Sequence, residues 1–401
     1  MTAKSAHARI LAIETSCDET AVAILEARGG QSRAEFLVRA NLVLSQAALH
    51  AEYGGVFPSL AKREHAKNLV PLLMQALKDA GMYKTTGANL EILDAKNLET
   101  LFTREPELLS QFIREIPKLV KPPIDAIAVT YGPGLTPALW VGINFAKALA
   151  DIWNVPIIPV SHMEGHIFSA LIRGQTFSIA DIRLQALALL VSGGHTELVL
   201  IRGQRVYEII GQTRDDAVGE AFDKVGRMLG LPYPGGPTVA ARADAYSPRE
   251  TGELSLPRPM IDSPDFDFSF SGIKTAVLYF LKDREKNNLP LDEETKSIVC
   301  NAFQEAVVEV LVSKTIRAAS MHAIQTILVG GGVSANRRLR EALTNAIQKE
   351  IPDARLFLPE PAETGDNALM IAVAGFYRFL AEPHGTAPEK ISAEGNLRLS
   401  V

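Results

Sequence analysis

Cysteine is almost missing from this sequence: of 401 residues, only Cys17 and Cys300 carry a thiol. A disulfide framework is therefore excluded, and a reducing compartment fits. Long apolar runs are missing too. None approaches the ~18 residues of a membrane span, and Met1 to Arg9 contain no apolar core of secretory-signal length. The expectation is a soluble cytoplasmic protein with no membrane partner. An excess of one charge is also absent. A formal net charge of −5 excludes a protein that grips nucleic acid by bulk charge, but leaves room for a local basic groove or for a partner that supplies one. What is present is apolar material, 47% against 22% charged residues, enough to bury a sizeable core. The length suits two domains or one two-lobed unit.

The organising motif is His162-Met163-Glu164-Gly165-His166. It follows a strand-like apolar run, residues 155–160, and leads into a helical stretch, residues 167–173. Imidazoles four apart on a helix share a face, the spacing at which two ring nitrogens reach one metal ion. In His-Glu-x-x-His peptidases the Glu directly follows the first His and acts as general base. Here Glu164 comes two places on, roughly 200° around the helix. The reading is a metal site without the peptidase base, on a helix that Gly165 weakens.

Polar turns recur between apolar elements. Residues 9–25 read as strand, bend, strand, with Thr15, Ser16, Asp18 and Glu19 at the bend, where hydroxyls and carboxylates suit a phosphate or its metal ion. A helix is expected from Pro58 through Leu77, with Glu64 and His65 on its solvated face and His50, just before it, in a structural role. Residues 84–121 read as an inserted helical excursion outside the core. Tyr131-Gly132-Pro133-Gly134 separates a strand from a helix that Thr136-Pro137 opens and that runs to about Trp153. The run 184–191 enters a second hairpin turn, Ser192-Gly193-Gly194-His195-Thr196, which echoes the first; His195 is a candidate for chemistry.

A helix is expected from Asp215 to Leu229, putting Asp216, Glu220 and Asp223 on one face, where like charges favour a hydrogen-bonding or cation-linked role. Pro234-Gly235-Gly236-Pro237 is a rigid turn suited to a ribose. The aromatics of Phe266, Phe268 and Phe270 read as core, with Ser269, Ser271 and Lys274 as candidate substrate contacts. Glu293 to Met321 is a long amphipathic helix for packing. Gly330-Gly331-Gly332 forms a third glycine turn before the helix at 337–349, but not the dinucleotide pattern G-x-G-x-x-G. On that helix Arg337, Arg338 and Arg340 are either phosphate contacts or a solvated face. Asp366, before the helix at 368–380, is either a helix cap or the oxygen ligand that two histidines lack.

Taken together, Glu14-Thr15-Ser16-Cys17-Asp18-Glu19-Thr20, Gly54-Gly55, His162 to His166, Ser192 to Thr196, Gly219-Glu220-Ala221-Phe222-Asp223-Lys224, Tyr233 to Pro237, Phe268-Ser269-Phe270-Ser271-Gly272, Gly331 to Asn336 and Thr364-Gly365-Asp366-Asn367 resemble one family along nearly the whole chain. It is the tRNA N6-adenosine threonylcarbamoyltransferases, once misnamed O-sialoglycoprotein endopeptidases, in their bacterial form. The resemblance implies an α/β fold of two RNase H-like lobes, as in the actin/Hsp70/sugar-kinase superfamily, with a central cleft between them. The lobes would be residues 8–158 (with 84–121 inserted) and 159–365, with 366–401 as a helix and tail packing back on the first. It implies one divalent metal ion, Fe2+ or else Zn2+, on His162, His166 and Asp366. It implies substrate contacts from Leu190, Val191, Ser192, Gly193, Gly194, Asp223, Gly236 and Asn336.

The implied reaction moves the threonylcarbamoyl group from threonylcarbamoyl-AMP to N6 of the adenosine just 3′ of the anticodon, in tRNAs reading codons that start with adenine, and releases AMP. Implied partners are tRNA, a paralogous metal-free subunit of the TsaB type and a small P-loop ATPase of the TsaE type, with a homodimer as another assembly. Asp18 and Glu19 are candidates to position the amine or take its proton. The insertion at 84–121 is longer than the resemblance leads one to expect. An ATPase or sugar kinase of the same fold, and a metallopeptidase, are the rival readings.

Overall fold

The first three strands, β1 (Ala6–Glu14), β2 (Glu19–Gly29) and β3 (Arg33–Ser45), form an antiparallel meander. Helices α1 (Ala47–Ala51), α2 (Pro58–Asp79), α3 (Ala95–Leu101) and α4 (Pro106–Glu115) follow. Strand β4 (Ala126–Gly132) then lies parallel to β1, and α5 (Thr136–Trp153) crosses to β5 (Ile157–Ser161), parallel to β4. After α6 (His162–Ser169), β6 (Thr176–Ala180) pairs with β3 at the far edge. The order is β5-β4-β1-β2-β3-β6. Residues 10–13 are buried on both faces of the sheet, which is why β1 reads as an unbroken apolar run and not as an alternation.

The same plan is repeated. Strands β7 (Ala186–Val191), β8 (Thr196–Gly203) and β9 (Val206–Gln212) form a second meander. Helices α7 (Val218–Met228), α8 (Gly235–Ala245), α9 (Ser271–Lys286) and α10 (Glu293–Met321) precede β10 (Thr326–Gly330), which runs parallel to β7. Helix α11 (Arg337–Glu350) crosses to β11 (Arg355–Phe357), and α12 (Ala368–Ala381) ends the regular structure. The second sheet has the order β11-β10-β7-β8-β9. Each sheet therefore places its own fifth, fourth, first, second and third strands side by side, the pattern of an RNase H-like lobe, with β6 as the one addition.

This computed structural model describes residues 6–85, 95–180, 185–246 and 254–399. The chain divides into one unit of Met1–Ile182 with Asp366–Leu399 and another of Arg183–Gly365. The first unit thus runs past the boundary at 158 expected from the sequence. The reason is pairing and packing: β6 continues the first sheet, and α12 lies against α6 as well as β1, β2 and β4. Among the described residues no helix is long and apolar enough to cross a membrane.

Two expectations are corrected. The insertion is not outside the core. Leu98, Phe102, Leu108, Phe112 and Ile116 are buried in the first unit, and the Phe112 ring stands 5.4 Å from that of Phe102 and 5.9 Å from that of Phe145. Its apolar residues line the inner sides of α3 and α4 and pack against α2 and α5. Residues 86–94 of the insertion lie outside the described ones.

His65 is not on a solvated face either. It is fully buried, with Nδ1 2.8 Å from Thr20 Oγ1 and Nε2 2.9 Å from the Cys17 carbonyl, so it pins α2 to the β1–β2 bend. Burial pushes its pKa down from 6.5 to about 4. A ring that stays neutral when folded and charges when unfolded makes the unfolded chain the stronger proton binder. Stability is then complete above about pH 6.5 and is lost as pH falls through about 4, by roughly 3 kcal/mol. Denaturant unfolding at pH 7 and pH 4.5 measures this; His65→Gln should lose at least ~1 kcal/mol less than the wild type over that interval.

Candidate functional site

Three parallel strands of the first unit end at one place. Glu14 ends β1, Thr130 lies near the end of β4, and Ser161 ends β5, just before His162. Helix α6 begins there and carries His162 and His166, both buried, with ring centres 4.6 Å apart. Gly165 brings the third group. A Cβ on it would stand 2.8 Å from Ile371 Cδ1 and 3.0 Å from Met370 Cγ, so its bare Cα lets α12 pack closely on α6. The start of α12 is capped by Asn367, whose Oδ1 accepts from the Met370 N–H at 2.9 Å. Asp366 is therefore not the cap, and its carboxylate faces the two imidazoles.

Asp366 Oδ1 lies 3.4 Å from His162 Nε2 and 3.2 Å from His166 Nε2, and one ligand atom of each residue falls within 4.8 Å of the others. Ligands about 2.1 Å from a shared ion stand roughly 3.0–3.4 Å apart in octahedral or tetrahedral geometry. Neither ring nitrogen of the fully buried His166 makes an aligned hydrogen bond, which is costly for a polar group without a partner. The donor set fits a divalent ion. Glu164 points elsewhere, to Arg378 Nε at 2.5 Å.

Behind His162 stands a carboxylate. Glu14 Oε2 is 3.1 Å from His162 Nδ1 and accepts from Thr130 Oγ1 at 2.6 Å, while Glu14 Oε1 accepts from the Ser16 N–H at 2.5 Å. Ser16 Oγ also approaches Nδ1, at 3.2 Å. Glu14 is fully buried. A carboxylate on Nδ1 fixes the tautomer that leaves Nε2 for a metal and makes that nitrogen more basic. Burial alone would lower the His162 pKa, but the charges of Asp366 and Glu14 outweigh it and hold the ring well above its ordinary value. Burial and the neighbouring His162 charge lower that of His166.

In the second unit the glycine turns converge at the corresponding strand ends. The turn after β7 closes by Ser192 N–H to the His195 carbonyl at 2.9 Å and leaves Gly193 and Gly194 exposed. Gly331, at φ +91°, lies against it: an added Cβ would stand 2.4 Å from the Val191 carbonyl oxygen, so only glycine fits there. Gly219 brings the start of α7 against the same turn, with its Cβ position 2.6 Å from the Ser192 carbonyl oxygen. Asp223 Oδ1 accepts from the Gly235 and Gly236 N–H groups at 2.7 and 3.2 Å, holding α8 beside α7. Asn336 caps α11 through Leu339 N–H at 2.9 Å and donates to Gln304 Oε1 at 2.8 Å. Leu190 and Val191 are buried at the end of β7. In open α/β sheets the carboxyl ends of strands are where ligands bind.

The family model for tRNA N6-adenosine threonylcarbamoyltransferase matches residues 37–86 and 106–373. The chain belongs to that family. A Chromobacterium violaceum tRNA N6-adenosine threonylcarbamoyltransferase is 43% identical over 379 residues, 94% of this chain and 95% of the relative. One from Enterococcus faecalis is 40% identical over 396 residues, 96% and 97% of the two chains. Among solved structures, a full-length HypF in a phosphate- and nucleotide-bound form aligns with 96% of this chain at a TM-score of 0.50 and 12% identity. The present chain spans about half that protein, 48% of its length, and the likeness is one of fold.

Within this threonylcarbamoyltransferase the remaining candidates have internal partners. Glu19 Oε1 accepts from Ser45 Oγ at 3.0 Å. Burial first, then the charges of Asp366 and Asp18, push its pKa up to about 9. A carboxyl in that state keeps its proton at neutral pH; a cation on Asp366 would pull the value down. Asp18 accepts the Gln46 N–H at its backbone carbonyl, 2.9 Å away.

Helix α7 starts at Val218, so Asp216 precedes it and shares no helix face with Glu220 and Asp223. The cations are lysines: Asp216 pairs with Lys224 at 2.7 Å and Lys274 at 2.6 Å, and Glu220 with Lys224 at 2.7 Å. Ser269 Oγ donates to Asp215 Oδ2 at 2.5 Å, and the Ser271 N–H to Asp215 Oδ1 at 3.2 Å. Arg337 reaches Asp244 at 3.0 Å, Arg338 holds Glu305 through two bonds of 2.6 and 2.8 Å, and Arg340 donates to the Ser334 and Pro359 carbonyls at 2.6 and 2.8 Å. These arginines tie α11 down. Sequence reasoning missed Glu14 as a partner of His162. The available signal was an acidic residue at the end of an otherwise apolar strand.

Proposed function

We propose that the chain transfers the threonylcarbamoyl group of threonylcarbamoyl-AMP to N6 of the adenosine 3′ of the anticodon, in tRNAs that read codons starting with adenine. The N6 amine attacks the carbamoyl carbon, the bond from that carbon to the AMP phosphate oxygen breaks, AMP leaves, and the amine gives up a proton. The observation that carries this reading is the His162–His166–Asp366 group backed by Glu14, in a chain of this family.

His162, His166 and Asp366 would hold one divalent ion, Fe2+ in preference to Zn2+, which would supply Lewis acidity and an anchor for the donor. Glu14 keeps Nδ1 of His162 protonated and its Nε2 presented. The Ser192–Gly194 turn, with Leu190 and Val191 leading into it, offers backbone N–H groups to the adenylate; Asp223, Gly236 and Asn336 complete its contacts. Asp18 and Glu19 help to position the amine, and Glu19 would take its proton once a cation on Asp366 holds the Glu19 carboxylate ionised. The chain works in the cytoplasm with a metal-free paralogous subunit and a small P-loop ATPase.

Incubation with threonylcarbamoyl-AMP, unmodified tRNA and these partners should yield the modified nucleoside by mass, together with AMP. ATP turnover without modified nucleoside, surviving replacement of both histidines by alanine, would establish the kinase reading instead. Cleavage of protein by the purified chain would establish the peptidase.

A further inference from the structure

A groove of about 510 Å³ opens in the first unit between the inserted segment and α5, within the size range of small-molecule sites. Arg104 and Glu105 stand on one wall; Lys62 of α2 and Trp140, Asn144 and Lys147 of α5 stand on the other. The family model matches up to residue 86 and resumes at 106, so the first wall lies between the two matched segments. The groove is preformed. Asn144 Nδ2 donates to the Leu101 carbonyl at 2.9 Å and Lys62 Nζ to the Arg104 carbonyl at 2.9 Å, tying the two walls together.

Its chemistry is specific. In a chain of net charge −5, three cations face one carboxylate here. Arg104 is exposed and has no ion-pair partner among the described residues. Trp140 is half-buried, with Lys147 Nζ 5.5 Å from its ring centre. Glu105 is only 4% exposed; its Oε1 takes Lys62 Nζ at 2.8 Å, and its Oε2 has no hydrogen-bond partner. Thr136 carries the groove to the start of α5. The adjoining Leu135 N–H donates to the Ser16 carbonyl at 2.7 Å, and Ser16 Oγ lies 3.2 Å from His162 Nδ1. One end of the groove is thus a few residues from the candidate metal group.

We propose that this groove binds one unpaired nucleotide of the tRNA substrate, with its phosphate at Arg104 and Lys62 and its base on Trp140. Cations position phosphates, and an indole stacks on any base. Loops present such unstacked nucleotides beside their target base. The assignment rests on tRNA being the substrate.

The test uses the full-length chain and labelled unmodified tRNA, with binding followed by anisotropy over a range of salt. Arg104→Glu should raise Kd about tenfold and flatten the dependence of log K on log salt by about one contact. Trp140→Ala should raise Kd at least ~5-fold with the salt slope unchanged. The chain has two tryptophans, and Trp153 is buried, so tRNA should quench an emission that Trp140→Phe removes. Equal affinity of wild type, Arg104→Glu and Trp140→Ala overturns the proposal. So does equal quenching by free AMP, GMP or CMP, which assigns the groove to a mononucleotide, and so does loss of only the paralogous subunit's binding, which assigns it to a protein. Failure of the function reading is separately visible as a wild type that makes no modified nucleoside.

Discussion

Asp366→Ala should fold, lose its metal at least ~10-fold and lose threonylcarbamoyl transfer by about 100-fold or more. Folding is spared because the cap of α12 is Asn367, not Asp366. What goes is the one oxygen that lies 3.4 and 3.2 Å from the two imidazole nitrogens. Two nitrogens alone hold a divalent ion weakly, and His162 would keep its pairing with Glu14. Asn367→Ala is the matched control. It removes the cap, costs about 1 kcal/mol of stability and should keep the metal. Elemental analysis, calorimetric melting and the transfer assay on the two variants separate a ligand from a structural residue. An Asp366→Ala protein that keeps both its metal and its rate would sink the assignment.

Glu14→Gln tests the partner of His162 that the sequence reading missed. Glu14 Oε1 accepts the Ser16 N–H, and Oε2 serves both Thr130 Oγ1 and His162 Nδ1. An amide offers one oxygen for these two sides and turns two N–H donors toward the other. In a fully buried position, one unsatisfied donor costs roughly 1–3 kcal/mol. His162 also loses the charge that keeps its Nδ1 protonated, so metal affinity should fall about 10- to 100-fold. Competition against a chelator of known affinity reads the second effect, and denaturant unfolding of the metal-free protein reads the first. Unchanged metal affinity would reduce Glu14 to a packing residue.

Both variants bear on what the sequence could disclose. His162 and His166 declare themselves because their spacing is a property of one helix. Asp366 is separated from them by the entire second unit; the residues left it as cap or ligand, and only the family resemblance favoured ligand. The structure gives the capping role to Asn367 and brings α12 against α6 at Gly165, which leaves the Asp366 carboxylate facing the two imidazoles. Glycine in a short helix read as a weakness; here it is the condition for close packing. His65 shows the opposite failure. It was expected on the solvated face of α2, whereas the face is set by what lies over it, the β1–β2 bend. The inserted helices were misjudged for the same reason: their apolar spacing was visible, but the surfaces it covers belong to α2 and α5.

By itself the sequence determined where elements begin and end when the signals are local. Helix α5 spans Thr136–Trp153 and α10 spans Glu293–Met321, as Pro at a first turn and apolar periodicity require. The order of the two sheets decided which strand ends become neighbours, and so which polar side chains are buried together. Periodicity is felt over four residues, while the pairing of Glu14, Thr130, His162 and Asp366 depends on four separate elements meeting where water is excluded, and no window along the chain contains that information.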